Sequence, residues 1–269
     1  MIRKLSAALF AFGLLGAAPA PDWRPLDPET LLVIDTTRGR IIVEMAPDMA
    51  PQSVARVKLL AREGVYDGLQ FHRVIEGFVN QTGNPDNRDG GGSRHPNLPL
   101  EATFRLVIAG YRPVAAPSDA TFGFRGSVPI ATVSGQEALR STDGAIRAWG
   151  AYCPGVAGMG RQEARDTGNS EIFFMRGSSR RLDRDYAVWG RIVVGGDINS
   201  HLAVGEPPAR PDRMLKVRVA ADLPEAQRPR LSILRDDSPE FLALVRRTRI
   251  AKGADFSICD LEVPVRVDP

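Results

Sequence analysis

The chain has 269 residues, of which 43% are hydrophobic and 25% are charged, with 26 glycines and 21 prolines. This composition fits one globular domain with additions, or two small domains, and it excludes collagen-like, coiled-coil and wholly disordered chains. The net charge is +3, and the arginine-rich stretches are interleaved with aspartate or apolar residues, so they indicate a solvated surface and no nucleic-acid partner.

The first twenty residues have the pattern of a secretory signal peptide. Arg3 and Lys4 precede an apolar run from Leu5 to Ala18, and small residues follow. The run is shorter than a comfortable bilayer span, so an uncleaved anchor is the less favoured alternative. Residues 1–20 are therefore assigned to a signal peptide. We expect a protein exported to the periplasm, or alternatively secreted, with no membrane segment after cleavage.

The next residues predict a series of short elements. Residues 21–30 are rich in proline and aspartate and are predicted as a linker. A β-hairpin is predicted where β-branched runs flank Arg38-Gly39, and a helix is predicted over 51–62 with Pro51 in its first turn. Further short strands are predicted at 69–73, 78–81, 104–108, 128–133, 171–175, 187–194 and 214–220.

The last part of the chain predicts a helix at 239–251, opened by Ser238 as its N-cap, and then a strand at 256–267. A short helix is also expected within 197–204. Many short strands with few helices are typical of a β-barrel or sandwich with helices at its ends, and not of βαβ alternation.

Common catalytic motifs are missing from the sequence. It has no G-x-S-x-G elbow, no H-E-x-x-H helix, no Walker lysine and no G-x-G-x-x-G after a strand. Its three histidines, His72, His95 and His201, lack paired metal-ligand spacing. We therefore expect neither a metal nor a cofactor.

The chain has two cysteines, Cys153 and Cys259, and no C-x-x-C motif. An oxidising compartment permits a disulfide between them, although two separate buried thiols are the alternative.

One stretch is distinctive: Phe71-His-Arg-Val-Ile-Glu-Gly-Phe-Val-Asn-Gln-Thr-Gly-Asn84. Two strand-like pieces flank a glycine turn, and a period of two places Phe71, Arg73 and Ile75 on one face of the first. This stretch resembles the signature of the cyclophilin family. Further similar segments lie at 158–161, 169–175 and 182–193. The resemblance covers roughly 31–223, with an insertion at about 94–154 and a C-terminal extension at 224–269.

The resemblance implies a mainly β fold, a closed antiparallel eight-stranded barrel capped by helices. It also implies a peptidyl-prolyl cis-trans isomerase that acts on proline-containing polypeptides without a cofactor. Separately, we expect a monomer. Arg73 falls on the family's arginine, which donates hydrogen bonds toward the prolyl nitrogen and a nearby carbonyl. His72 belongs to the motif, either with a direct role or as a structural histidine. The residues that would contact substrate are Phe78, Val79, Gln81, Gly160, Arg161, Phe174, Leu182 and Tyr186.

The sequence departs from the family pattern at several places. Ile172 stands where the family usually has a glutamine before its paired phenylalanines, and Arg181 stands where many members have tryptophan. The insertion precedes the Gly158 segment, so it is expected to border the groove. X–Pro isomerisation limits folding, so an exported isomerase would assist the folding of exported proteins. The alternatives are a proline-binding chaperone with little turnover and a scaffold with a vestigial pocket.

Overall fold

The structure, a computed structural model, describes residues 22–268, so the predicted signal peptide at 1–20 lies outside the described residues. Within that range the longest helix has 14 residues, and none is long and apolar enough to span a membrane. The α-helices are α1 (Pro51–Arg62), α2 (Gly135–Ala138), α3 (Gly196–Ser200) and α4 (Pro239–Lys252). The strands are β1 (Trp23–Pro25), β2 (Leu31–Thr36), β3 (Gly39–Met45), β4 (Arg73–Ile75), β5 (Val79–Thr82), β6 (Phe104–Val107), β7 (Ala120–Arg125), β8 (Val128–Val133), β9 (Ala145–Gly150), β10 (Val156–Met159), β11 (Ile172–Met175), β12 (Val188–Val194), β13 (Met214–Val219), β14 (Leu231–Leu234) and β15 (Val265–Val267).

An eight-stranded antiparallel sheet, in the order β13-β2-β3-β12-β10-β11-β5-β4, forms the centre of the molecule. It curls into a half-barrel, which confirms the predicted mainly β, barrel-type fold. The two edge strands of this sheet are β4 and β13. Isolated bridges join the β4 region to the segment that leads into β13: Gln70 pairs with Arg213, and Val74 pairs with Gly205. Because these are single bridges and not a continuous ladder, full closure of the barrel stays a prediction.

The sheet separates two hydrophobic cores, and β2 shows how the sequence serves both. Leu32 and Ile34 point into the inner core, which is enclosed by the curled sheet and α1. Leu31 and Val33 point into the outer core on the other face. Alternating side chains of a strand lie on opposite faces, so a strand buried on both faces consists almost entirely of apolar residues.

The outer core is covered by two smaller sheets. The insertion forms one, in the order β6-β9-β8-β7, and the extension supplies β14 and β15 of the other, in the order β1-β14-β15. Phe124 of the insertion and Phe241 of the extension make an edge-to-face contact, with ring centroids 5.6 Å apart. Cys153 and Cys259 form a disulfide. The segment 21–30, predicted as a linker, contains β1, which pairs with β14 of the extension.

Several predicted elements are confirmed, including the β2–β3 hairpin, α1, and α4 with its N-cap, where Ser238 Oγ accepts a hydrogen bond from the Phe241 amide. The strand predicted at 256–267 is wrong except for β15. A capping box formed by Ser257 and Asp260 holds residues 258–260 in a 3₁₀ turn. The shared face predicted for Phe71 and Arg73 is also wrong, because β4 begins at Arg73 and Phe71 turns into the inner core.

Candidate active site

A cleft of about 770 Å³ opens beside β4, β5 and β11. All the predicted site residues line it except His72 and Phe174. The lining residues are Arg73, Phe78, Val79, Gln81, Asp89, Gly90, Gly160, Arg161, Gln162, Glu163, Glu171, Phe173, Arg181, Leu182, Asp185 and Tyr186. No residue of the insertion, all of which the structure describes, appears among them. The insertion, expected to border the groove, therefore does not line it, although its Tyr152 stacks behind the cleft-lining Phe173.

The centre of the cleft is a row of residues that lie side by side across neighbouring strands. Arg73 on β4 pairs with Gln81 on β5, Gln81 pairs with Phe173 on β11, and Phe173 pairs with Gly158 on β10. Directly paired residues of an antiparallel sheet project to the same face. The sheet register therefore brings a cation, an amide and an aromatic ring together in one line.

Arg73 is held at two of its nitrogens. Its Nη1 donates to Gln81 Oε1 at 2.9 Å, and its Nε donates to Glu206 Oε2 at 2.7 Å. Among residues 22–268, its Nη2 has no hydrogen-bond partner. The guanidinium is thus oriented by polar contacts while one edge stays available to a ligand in the cleft.

The apolar wall of the cleft is built around Phe173. This ring stacks on buried Tyr152, with centroids 5.8 Å apart, and meets Tyr186 edge to face at 5.7 Å. A Cβ on Gly158 would lie 2.2 Å from the Phe173 ring, so only glycine leaves space for the ring there. Two further lining residues, Val79 and Leu182, are buried and half-buried. Such a wall suits a ring without hydrogen-bond donors.

Two arginines lie against aromatic rings at the rim. The Arg161 guanidinium lies 4.5 Å from the Tyr186 ring centroid and also donates to Asp185 at 2.8 Å. Arg181 is exposed and lies 5.2 Å from the Phe78 ring centroid. Cation–π contacts of this kind fix a rim aromatic and leave its edge exposed to a ligand.

The prediction that Phe174 contacts substrate is wrong. Phe174 is fully buried in the inner core against Trp189, and Phe173 takes its place in the cleft. The same one-residue shift applies to Ile172, which was expected at the position of the family's glutamine. Ile172 is buried, and Glu171 presents its carboxylate to the cleft in its place. A shift of one residue moves every side chain of a strand to the other face.

Glu171 occupies a polar corner behind Gln81. Its two carboxylate oxygens accept hydrogen bonds from the side-chain amides of Gln81 and Asn84. Burial, reinforced by the charge of Asp89, raises the pKa of Glu171 to about 7, against an ordinary value of 4.5. The carboxyl group therefore changes its charge near neutral pH.

His72 lies beneath the same corner and not in the cleft. Its side chain is 2% exposed, and its Nε2 lies 3.3 Å from Asp89 Oδ1 and 3.9 Å from Glu171 Oε2. Burial lowers the pKa of His72, although Asp89 opposes the shift. His72, Asp89 and Glu171 are also the residues of this site that could hold a metal ion.

Sequence reasoning missed several residues of the site, among them Phe173, Glu171, Asp89 and Glu206. The sequence could have indicated Phe173 and Glu171. Alternate residues of a strand share a face, so a buried Ile172 places Phe174 on its own face and Glu171 and Phe173 on the opposite one. Asp89 and Glu206 lie in loops far from Arg73 in the sequence, and no local pattern indicates their contacts.

Comparison with known proteins agrees with this geometry. The family model described as cyclophilin type peptidyl-prolyl cis-trans isomerase/CLD matches residues 31–219. A probable peptidyl-prolyl cis-trans isomerase of Brucella suis is 28% identical over 234 residues, which are 81% of this chain and 95% of that protein. The crystal structure of cyclophilin AquaCyp293 from Hirschia baltica superposes with a TM-score of 0.83 at 33% identity, covering 91% of this chain and 93% of the other.

Proposed function

Because the chain belongs to the cyclophilin-type peptidyl-prolyl cis-trans isomerases, we propose that it uses Arg73 to catalyse rotation about X–Pro bonds in exported proteins and so assists their folding. The isomerase class follows from the family itself, and the family match spans most of the chain. The residue roles and the exported substrates are the parts that need experiment.

The reaction requires no bond cleavage, only a weaker amide resonance. Resonance sets a rotation barrier of about 18–20 kcal/mol. As the bond twists, the prolyl nitrogen becomes pyramidal and regains a lone pair, which can accept a hydrogen bond. Arg73 offers its Nη2 edge to this nitrogen, while Gln81 and Glu206 keep the guanidinium in place. A fixed donor that bonds the twisted state more strongly than the planar one lowers the barrier.

The apolar wall holds the proline ring during this rotation. Phe173, Val79 and Leu182 surround a space next to Arg73, and Phe78 closes its rim. The ring has no hydrogen-bond donor, so it gains from leaving water for this surface. With the ring fixed, the acyl side of the bond turns in the open part of the cleft. The observation that best supports this function is the lateral row of Arg73, Gln81 and Phe173 on three adjacent strands.

Exchange NMR on a short Ala-Pro peptide tests catalysis directly. We expect cis–trans cross-peaks with the wild-type protein and a loss of about 100-fold or more in the catalysed rate with Arg73→Ala, since one oriented donor is removed. Arg73→Lys should recover little, because lysine lacks the planar fork. Arg165→Ala, at an exposed arginine outside the cleft, is the matched control and should retain the rate.

Two outcomes would contradict the proposal. If Arg73→Ala retains the wild-type rate, the arginine is not the catalytic donor. If the wild-type protein shifts the peptide signals without speeding exchange, the cleft binds proline peptides without turnover, as a chaperone would.

Export is supported by the sequence of residues 1–20 and by the disulfide between Cys153 and Cys259, a bond that persists in oxidising compartments. We expect expression in a Gram-negative host to place the protein in the periplasmic fraction, with an N-terminus downstream of the apolar run. A variant that lacks residues 2–20 should stay in the cytoplasm. A cytoplasmic location of the full chain would contradict export, and an intact N-terminus in the exported protein would contradict cleavage and favour an uncleaved anchor.

A role in folding is tested with a secreted model protein whose refolding is limited by proline isomerisation. Catalytic amounts of the wild-type protein should speed its slow phase, and Arg73→Ala should not. Equal acceleration by both proteins would contradict an isomerase role and favour a chaperone.

A further inference from the structure

Three metal-ligating side chains meet behind Arg73. His72 Nε2, a carboxylate oxygen of Asp89 and one of Glu171 all lie within 4.8 Å of one another. His72 precedes β4, Asp89 lies in the loop after β5, and Glu171 precedes β11. The sheet therefore assembles a set that the spacing of the histidines in the sequence does not reveal. We propose that these three residues form a binding site for a divalent transition-metal ion of the zinc, cobalt and nickel class.

The distances suit a small ion. His72 Nε2 lies 3.3 Å from Asp89 Oδ1 and 3.9 Å from Glu171 Oε2. A tetrahedral zinc ion with bonds of about 2.0–2.2 Å holds neighbouring ligand atoms about 3.3–3.6 Å apart. Small side-chain movements would thus bring all three atoms onto one ion. One imidazole with two carboxylates favours zinc, cobalt or nickel over calcium and magnesium, which select oxygen ligands only.

The surroundings favour a cation and leave a route for it. The His72 side chain is buried, and its Nε2 faces the cluster. Its Nδ1 has no hydrogen-bond partner within residues 22–268. Asp89 is exposed and is followed by three glycines, so the site opens to solvent on that side.

The neighbouring charges are compatible with a bound ion. Arg73 is the cation facing the cluster from β4, with its Nε 3.9 Å from Asp89 Oδ2. That guanidinium is already paired with Glu206 at 2.7 Å. The Asp86 carboxylate is paired with Arg88. The carboxyl groups of Asp89 and Glu171 therefore supply the negative charge that a divalent ion would neutralise.

Occupancy would reach the catalytic arginine through Gln81. Its Nε2 donates to both Asp89 and Glu171, and its Oε1 accepts from Arg73. Asp89 Oδ1 is the oxygen that faces both His72 and the Gln81 amide. An ion bound to that oxygen competes with the Gln81 amide and weakens the support of the side chain that orients Arg73. The bound metal should therefore slow isomerisation. This consequence rests on the proposed function, whereas the metal site itself does not.

Metal binding is measured first and without reference to activity. The purified protein is treated with a chelator, dialysed, and titrated with Co²⁺ and Zn²⁺. We expect one ion per chain by calorimetry and visible Co²⁺ absorption bands typical of a site with low coordination number. Loss of a residue that only supports a metal ligand typically weakens metal binding by about 10–100-fold. Asp89→Asn removes a ligand itself, so it should weaken binding by more than this. Asp89 is exposed in a loop, so this variant should fold.

His95→Gln is the matched control, because His95 Nε2 also contacts a carboxylate, that of Glu63 at 2.8 Å, but outside the cleft. It should bind metal as the wild type does. Absence of one-to-one binding in the wild type, unchanged affinity in folded Asp89→Asn, or equal loss in His95→Gln would each overturn the site.

The effect on catalysis is the second readout. Saturating Zn²⁺ should slow peptide exchange by the wild-type protein and have a much smaller effect on Asp89→Asn, with each rate compared to its own metal-free value. Binding without slowing would overturn the coupling through Gln81 and leave the metal site standing. A wild-type protein that binds metal but is inactive even without it would refute the proposed function, not the site.

Discussion

Glu171 is a hydrogen-bond acceptor for two side-chain amides and is also a titratable group. It accepts hydrogen bonds from Gln81 and Asn84, and its burial opposes the charge that makes it a good acceptor. When the carboxyl group takes up a proton, the hydrogen bond that fixes the Gln81 amide weakens, and Arg73 loses part of its support. The orientation of Arg73 is thus coupled to pH.

This coupling predicts a pH-dependent rate. In the presence of a chelator, the catalysed exchange rate of the wild-type protein should rise as pH increases through about 7, where Glu171 ionises. Glu171→Gln should remove that step, because its side chain does not titrate. Glu163→Gln, at another acidic residue of the cleft, is the control. A step of the same size in Glu171→Gln would refute the assignment.

The same group affects stability with a defined sign. Its pKa is about 7 in the folded protein and 4.5 ordinarily, so the folded state binds the proton more tightly. The free energy of unfolding therefore falls by about 1–3 kcal/mol between these two pKa values as pH rises, and the loss is complete above the folded pKa. Glu171→Gln should flatten this part of the stability curve in urea titrations. An unchanged curve would contradict the raised pKa.

At this scale the sequence predicted Arg73, Phe78 and Gln81 correctly as cleft residues, because a long gap-free motif fixes their relative positions. It exchanged Phe173 and Phe174, because two adjacent phenylalanines leave the register of a short strand ambiguous. Gly158 on the neighbouring strand decides between them. It pairs with Phe173 and, because it has no side chain, it leaves space for the Phe173 ring.

Among the elements, β10 and β11 determine the shape of the cleft together. β11 carries Phe173 on its cleft face and Phe174 on its inner face, and β10 supplies the flat surface on which the Phe173 ring lies. The absence of a side chain at Gly158 therefore shapes the cleft together with the side chains that line it.

Gly158→Ala tests this arrangement. The added methyl group overlaps the Phe173 ring, so the ring must move from its place in the apolar wall of the cleft. We expect a loss of about tenfold in the catalysed exchange rate and destabilisation of about 1–3 kcal/mol from overpacking. Gly135→Ala is the control, since a Cβ there contacts nothing within 4 Å. Full activity in Gly158→Ala would show that Phe173 is not a determinant of the cleft.

Predictions of elements succeeded where a local signal sufficed and failed where distant residues decide. The β2–β3 hairpin, α1 and α4 each carry their own turn or capping residues. The end of the chain, predicted as one strand at 256–267, is instead divided by a capped turn and by Pro264, and only β15 finds a partner, in β14. An apolar, β-branched segment becomes a strand only when another strand is available to pair with it.

On the scale of the whole molecule, the insertion and the extension form one layer with β1 over the outer core. The disulfide between Cys153 and Cys259 joins the end of the insertion to the extension across 106 residues of sequence. A cross-link over so long a loop restricts the unfolded chain strongly.

Replacing both cysteines with serine should therefore lower the free energy of unfolding by about 2–4 kcal/mol. Neither cysteine lines the cleft, so the catalysed exchange rate at low temperature should stay near that of the wild type. Thermal unfolding followed by circular dichroism measures the first effect and exchange NMR the second. Equal melting temperatures with and without the disulfide would contradict a stabilising role.

The pairing of β1 with β14 sets the order in which the chain can complete itself. Trp23 lies opposite Leu234, so the two strands leave the ribosome about 210 residues apart. Until β14 is made, the apolar side chains of Leu31 and Val33 on β2 lack part of their outer cover. A chain that stops after the isomerase domain would leave this surface open, and exposed apolar surface promotes aggregation. The extension thus makes the fold depend on a complete chain, because only a chain synthesised to β14 can pair its first strand.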